Sequence, residues 1–152
     1  LNYGFNTRSC AIAGVWQGDL LNVGPNVKGR GQDGSIKLGK LIFNYPKQIV
    51  PKTKSACEFI KYNRQGDPSF YYRADGLIIK MSVNAKNSQS LSFNYQVSEN
   101  SEQKEKLTFA LPTGKLFNLT SQQGQIDHNY LTVDLNKYSS FTIDMTILGA
   151  AQ

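Results

Sequence analysis

The chain has 152 residues, 39% of them hydrophobic, and its 17 basic and 11 acidic side chains leave a net charge of +6. That length suits one domain over residues 1–152, able to bury roughly 68–70% of its unfolded surface without help from a metal. The apolar content is too high for a disordered chain, and there is no run of about 18 apolar residues that would cross a bilayer as a helix.

The chain starts at Leu1 rather than Met, which reads as a processed product that has lost any signal peptide. Cys10 and Cys57 are the only cysteines, and neither belongs to a C-x-x-C pair. Two reduced core thiols are one reading. A Cys10–Cys57 disulfide is the favoured one, because an even count in a Tyr-, Asn- and Ser-rich chain suits an oxidising, extracytoplasmic compartment. Ile12 to Trp16 is the first strand candidate. Residues 10–20, CAIAGVWQGDL, resemble the first strand of avidin-type barrels, and Gly14-Val15-Trp16 is similar to the Gly-x-Trp of lipocalins. The resemblance covers 11 of the 152 residues. The avidin family lines its biotin pocket with several tryptophans and this chain has one, so biotin is not an expected ligand. What remains is Trp16 as a large aromatic closing one end of a core.

Residues 27–40, VKGRGQDGSIKLGK, spell G-x-G-x-x-G at Gly29–Gly34 and G-x-x-x-x-G-K at Gly34–Lys40. A dinucleotide fingerprint needs a strand before the glycines and a helix after them. Here Val23-Gly24-Pro25-Asn26 precedes, and a strand-like Ile36 to Phe43 follows, so no helix N-terminus faces a pyrophosphate. Leu41 also stands where the magnesium-binding hydroxyl of a P-loop belongs. The stretch is expected to be a basic loop leading into a strand, with no nucleotide bound. Pro25, Pro46 and Pro51 are read as punctuating loops, since proline cannot donate to a central ladder. Cys57 to Tyr62 is the next strand candidate.

From residue 69 the pattern has period two. Ser69 to Arg73 alternates, and Ala74-Asp75-Gly76 supplies a pair that accepts positive φ in a tight hairpin. Leu77 to Val83 returns. Leu91, Phe93, Tyr95 and Val97 alternate with Ser92, Asn94 and Gln96, as a half-buried strand does. After a polar loop at 98–104 come Leu107–Leu111, a Pro112-Thr113-Gly114 turn, Leu116–Leu119, Leu131–Leu135 and finally Phe141–Ile147. No segment of 12 residues has helical period. Short strands with turns at this spacing predict an all-β antiparallel sandwich, jelly-roll-like, or a closed barrel.

Catalytic chemistry is sparse. His128 is the only histidine and sits in a turn, with no G-x-S-x-G motif to serve. One histidine cannot build a zinc site, so no metal or other cofactor is expected. Asp67 and Asp75 flank one strand, where paired carboxylates could serve glycoside hydrolysis, although two surface aspartates beside turns are the commoner reason. Glu99, Glu102 and Glu105 read as a solvated loop, and Asn118-Leu119-Thr120 is a sequon that matters only in a eukaryotic source.

The charge is uneven. Residues 1–76 hold 11 basic and 5 acidic side chains, whereas 77–152 hold 6 of each. Lys28, Arg30, Lys37, Lys40, Lys47, Lys52 and Lys54 face one acid, Asp33, in the same stretch. Such a surface favours anionic partners. The expected function is therefore a secreted or cell-surface, non-enzymatic binding domain for a glycan or anionic polymer. Tyr71 and Arg73 on one strand face, Tyr45 at a loop, and Lys28, Arg30 and Lys40 are its candidate contacts. The alternatives are a subunit of a surface fibre, with strand 141–147 and Gly149-Ala150-Ala151 against a neighbouring subunit, or an extracytoplasmic inhibitor that binds a partner.

Overall fold

The computed structural model describes residues 1–18 and 39–149. Their twelve strands form two open antiparallel sheets. The first orders β1 (Asn2–Asn6), β2 (Ala11–Gly18), β3 (Gly39–Lys52), β8 (Lys106–Ala110), β11 (Tyr130–Asp134) and β10 (Gly124–Asp127). The second orders β4 (Glu58–Asn63), β5 (Ser69–Ala74), β6 (Leu77–Asn87), β7 (Ser90–Asn100), β12 (Ser140–Ile147) and β9 (Phe117–Thr120). Neither sheet closes on itself, so the architecture is the sandwich and not the barrel.

Period-two alternation decides which face is inside. Leu77, Ile79, Met81 and Val83 of β6, Leu91, Phe93 and Tyr95 of β7, and Phe141, Ile143 and Met145 of β12 all point inward. Leu107 and Phe109 of β8 and Leu131 and Val133 of β11 meet them from the other sheet. Phe109 packs 4.9 Å from Tyr95 and 5.7 Å from Phe141, centroid to centroid. Each fully buried side chain of this size stabilises the fold by roughly 1.5–3 kcal/mol. At the other side of the sandwich, Phe5 of β1 stacks on Phe70 of β5 at 4.3 Å. Burial pushes the Tyr72 phenol well up, and its hydroxyl has no hydrogen-bond partner among the described residues.

Cys10, in the β1–β2 turn, is bonded to Cys57, which immediately precedes β4. The bond therefore ties one sheet to the other and closes a separation of 47 residues. In the chain-entropy account such a loop stabilises the fold by about 4 kcal/mol.

The first third departs from the expected pattern. Pro46 and Pro51 lie inside β3, not in loops. Pairing with β2 jumps from Gly14↔Asn44 to Ile12↔Ile49, so Tyr45 to Gln48 bulge out of that ladder and Pro46 breaks no bond in it. Pro51 lies beyond the last β2 pair and faces Phe109 on β8, so it leaves the β2 ladder intact as well. Two strands were not anticipated. β1 is short and carries a central Gly4, and β10 is an exposed edge with a single large apolar residue, Ile126. Trp16 lies late in β2, after a register shift, half-buried beside Gly4 and with its indole N–H unpaired among the described residues.

Candidate functional site

The outer face of the second sheet is built from the β5–β6 turn. Asp75 and Gly76 adopt φ of 52° and 74°, and Ala74 pairs with Leu77, as a two-residue hairpin requires. A Cβ on Gly76 would also meet the Glu102 side chain at 2.6 Å. The turn fixes the register: Tyr71 lies opposite Lys80, and Arg73 opposite Ile78. On the other side, β4 has a bulge between Phe59 and Lys61, and this extra residue brings Lys61 opposite Tyr71. The row Lys61–Tyr71–Lys80 runs straight across three strands. The Lys61 ammonium sits 4.7 Å from the centre of the Tyr71 ring, and that of Lys80 sits 5.8 Å away. Among the described residues, no other aromatic ring gathers two cations, and neither lysine has an ion-pair partner.

Next to this row lies a polar ladder. Ser82 pairs with Asn94, and Asn94 with Thr142. The Asn94 amide donates to Asn84 at 2.6 Å and accepts from the Thr142 hydroxyl at 3.2 Å. Ser92 donates to Asp144 at 2.6 Å, and Lys86 bridges the same carboxylate at 3.1 Å. Pairing of β9 with β12 stops at Thr120↔Asp144, and beyond it the Gln123 side-chain Oε1 accepts from the Thr142 N–H at 3.0 Å. An open groove of about 310 Å³ results, lined by Lys80, Ser82, Asn94, Gln96, Gln123 and Thr142 among others. Gln96 is exposed there, with no side-chain hydrogen bond among the described residues. Gln123 also borders a second polar hollow of about 400 Å³ with Lys106, Thr132, Asp134 and Lys137.

The remaining candidates fall in several places. Tyr71 and Arg73 do share the outer face of β5, opposite the inward Phe70 and Tyr72. Arg73 is bound to Glu58 at 2.8 Å in an exposed pair. Tyr45 is 65% exposed, but on the β3 bulge of the other sheet. Lys40 opens β3, a strand where a P-loop would need a helix. Lys28, Arg30 and Lys37 lie outside the described residues. Lys40 and Lys52 stand at the two ends of β3, up to about 40 Å apart along an extended strand, with Lys47 between them on the Thr113 carbonyl. Sequence reasoning missed Lys61 and Lys80. The hairpin register announces Lys80; only the β4 bulge places Lys61.

Asp75 is a structural group. Its carboxylate accepts from the Lys54 and Ser55 N–H groups and the Ser55 hydroxyl at 2.8–3.1 Å, and pairs with Lys104 at 3.1 Å. Burial pushes its pKa up, but those N–H groups, the hydroxyl and the ammonium pull harder and hold it well below the usual carboxylate range. Asp67 is exposed at the far end of the strand, roughly 20 Å away, too far for the carboxylate pair of a glycosidase. His128 sits at the β10–β11 turn with φ of 56°, on Asp127 at 2.8 Å, both in solvent. No group of three or more His, Cys, Asp or Glu among the described residues could hold a metal ion. β12 pairs with β7 over Ser140–Thr146 but with β9 only over Asp144–Ile147, so the Ser140–Ile143 half has no strand partner on that side among the described residues.

These features define a disulfide-bonded β-sandwich with an open polar groove on the second sheet and a polar hollow at the β8, β10 and β11 strands of the first. No family model, no curated protein and no solved structure matches the chain. No helix among the described residues is long and apolar enough to cross a membrane, and the disulfide is compatible with an extracytoplasmic location.

Proposed function

We propose that the domain is a non-enzymatic, extracytoplasmic binding module that lays a glycan chain along the outer face of its second sheet. The groove beside Tyr71 carries this reading. Its walls are amides and hydroxyls held in place by a side-chain network on three rigid strands, with one amide, Gln96, left for a ligand. Hydroxyl-rich ligands are held by such groups, and the groove crosses β6, β7 and β12. Asp67 and Asp75 stand too far apart to act as a glycosidase pair, which favours a ligand that is retained and not cut.

The test is a glycan array followed by calorimetry on each ligand retained. Gln96→Ala removes one ligand hydrogen bond, about 1 kcal/mol, and lowers affinity about fivefold without moving the unfolding midpoint. If no neutral or acidic glycan is retained at millimolar concentration, the reading is wrong.

A further inference from the structure

We propose that Lys61, Tyr71 and Lys80 form a subsite for the acidic group of a polysaccharide, so that the module selects uronic-acid or sulfated chains over neutral ones. The inference rests on the glycan reading above and names the ligand class that the same face takes. Two ammonium groups approach one ring from the strands on either side of it, at 4.7 and 5.8 Å, although like charges repel. The negative face of the tyrosine ring offsets part of that repulsion, and a bound carboxylate or sulfate offsets the rest. Other cations of the face are already neutralised: Arg73 by Glu58, and Lys86 by Asp144. Lys80 belongs both to this row and to the groove wall. A chain lying in the groove therefore brings a ring substituent beside Lys80 and Lys61 while its hydroxyls reach Gln96, Asn94 and Ser82. Charge placed at one point of a polar channel reads position as well as net charge, unlike a diffuse basic surface.

The experiment compares polygalacturonate with its fully methyl-esterified form, which keeps the sugar backbone and removes the charge, and adds heparin as the sulfated arm. At physiological ionic strength either acidic polymer binds about tenfold more tightly than the neutral one. Lys61→Gln and Lys80→Gln each lower acidic binding about threefold to fivefold, within the range of a single exposed ion pair, and Lys61→Gln, outside the groove lining, leaves neutral binding unchanged. Circular dichroism and urea unfolding confirm that both variants fold. The inference is overturned if neither acidic polymer exceeds the neutral form, if the lysine variants bind as the parent does, or if polyglutamate and single-stranded DNA are held as tightly as the polysaccharides. Equal affinity of the parent protein for the neutral and the acidic forms removes the acidic subsite and leaves the glycan reading standing; loss of all glycan binding in the parent protein removes both.

Discussion

At the β5–β6 turn the Asp75 carboxylate takes hydrogen bonds from two N–H groups, a hydroxyl and an ammonium. Four residues back along β5, Tyr71 gathers the ammonium groups of Lys61 and Lys80 with no carboxylate between them. Both places hold charge on the same strand. In the first, both carboxylate oxygens have partners within the fold. In the second, the charge is in solvent and unanswered. A buried, fully partnered ion is committed to stability, because removing either partner strands the other. An exposed pair of like charges adds little to stability and leaves its interaction free for a ligand. Changes at the turn should therefore move stability and spare binding, and changes at the row should do the reverse.

The largest expected effect is at the disulfide, which anchors the segment that Asp75 holds. Residues 53–57 carry the chain from the first sheet to the second, and Cys57 ends that passage. Cys10→Ser with Cys57→Ser lowers unfolding free energy by about 4 kcal/mol in urea titrations, and reductant does the same to the parent protein. A difference below about 1 kcal/mol would mean that the two sheets are held together without it. The denatured, unreduced protein should show no titratable thiol.

Asp75→Ala comes next, at about 3 kcal/mol, since the Lys54 and Ser55 N–H groups and the Lys104 ammonium lose their acceptor. The pH dependence has a definite sign. The folded pKa of Asp75 is depressed below its unfolded value near 3.8. The unfolded chain therefore binds a proton first as pH falls, and stability contributed by Asp75 is complete above about pH 5 and is lost progressively below that, as pH falls toward the depressed folded value. Asp75→Asn removes that part of the acid slope. An unchanged slope between pH 5 and pH 3 would show that Asp75 titrates normally and that its bonds are weaker than their geometry implies.

The same contrast explains what could be read from the sequence. The regular strands announced themselves: β5, β6, β7, β8, β11 and β12 alternate cleanly because one face of each meets the core and the other meets water. Asp75-Gly76 named its own turn, and the pairing of Tyr71 with Lys80 follows from that turn by counting outward. Lys61 could not be placed in this way. Its position depends on one extra residue at Ile60, and a bulge has no period to betray it. β3 was misjudged for a related reason: a strand that changes partners midway and bulges at Tyr45–Gln48 tolerates two prolines that a uniform ladder would reject. The polar network of Asn84, Ser92, Asn94, Thr142 and Asp144 was invisible because β7 and β12 are far apart in sequence and look only like the wet sides of two strands.

The smallest effect gives the finest test, and it concerns Arg73. Arg73 and Tyr71 share a face, and by sequence they look like equal partners in a binding site. The structure separates them, because the Arg73 guanidinium already holds Glu58 at 2.8 Å, with the two side chains 50% and 68% exposed. A pair so exposed contributes between nothing and about 1 kcal/mol to stability, so Arg73→Gln and Glu58→Gln should unfold almost where the parent does. Their effects on acidic-polymer binding should have opposite signs. Arg73→Gln removes a neutralised cation and leaves Glu58 uncompensated, which lowers affinity by no more than about twofold. Glu58→Gln frees the guanidinium about two residues from the lysine row and raises affinity by a similar factor, an effect that disappears in molar salt, where charges are screened within about 3 Å. Calorimetry on Arg73→Gln and Glu58→Gln beside Lys80→Gln, at 0.15 M and 1 M salt, resolves these differences. If Arg73→Gln weakens binding as much as Lys80→Gln does, the distinction between committed and free charge fails on this face, and the ligand responds to the total number of cations.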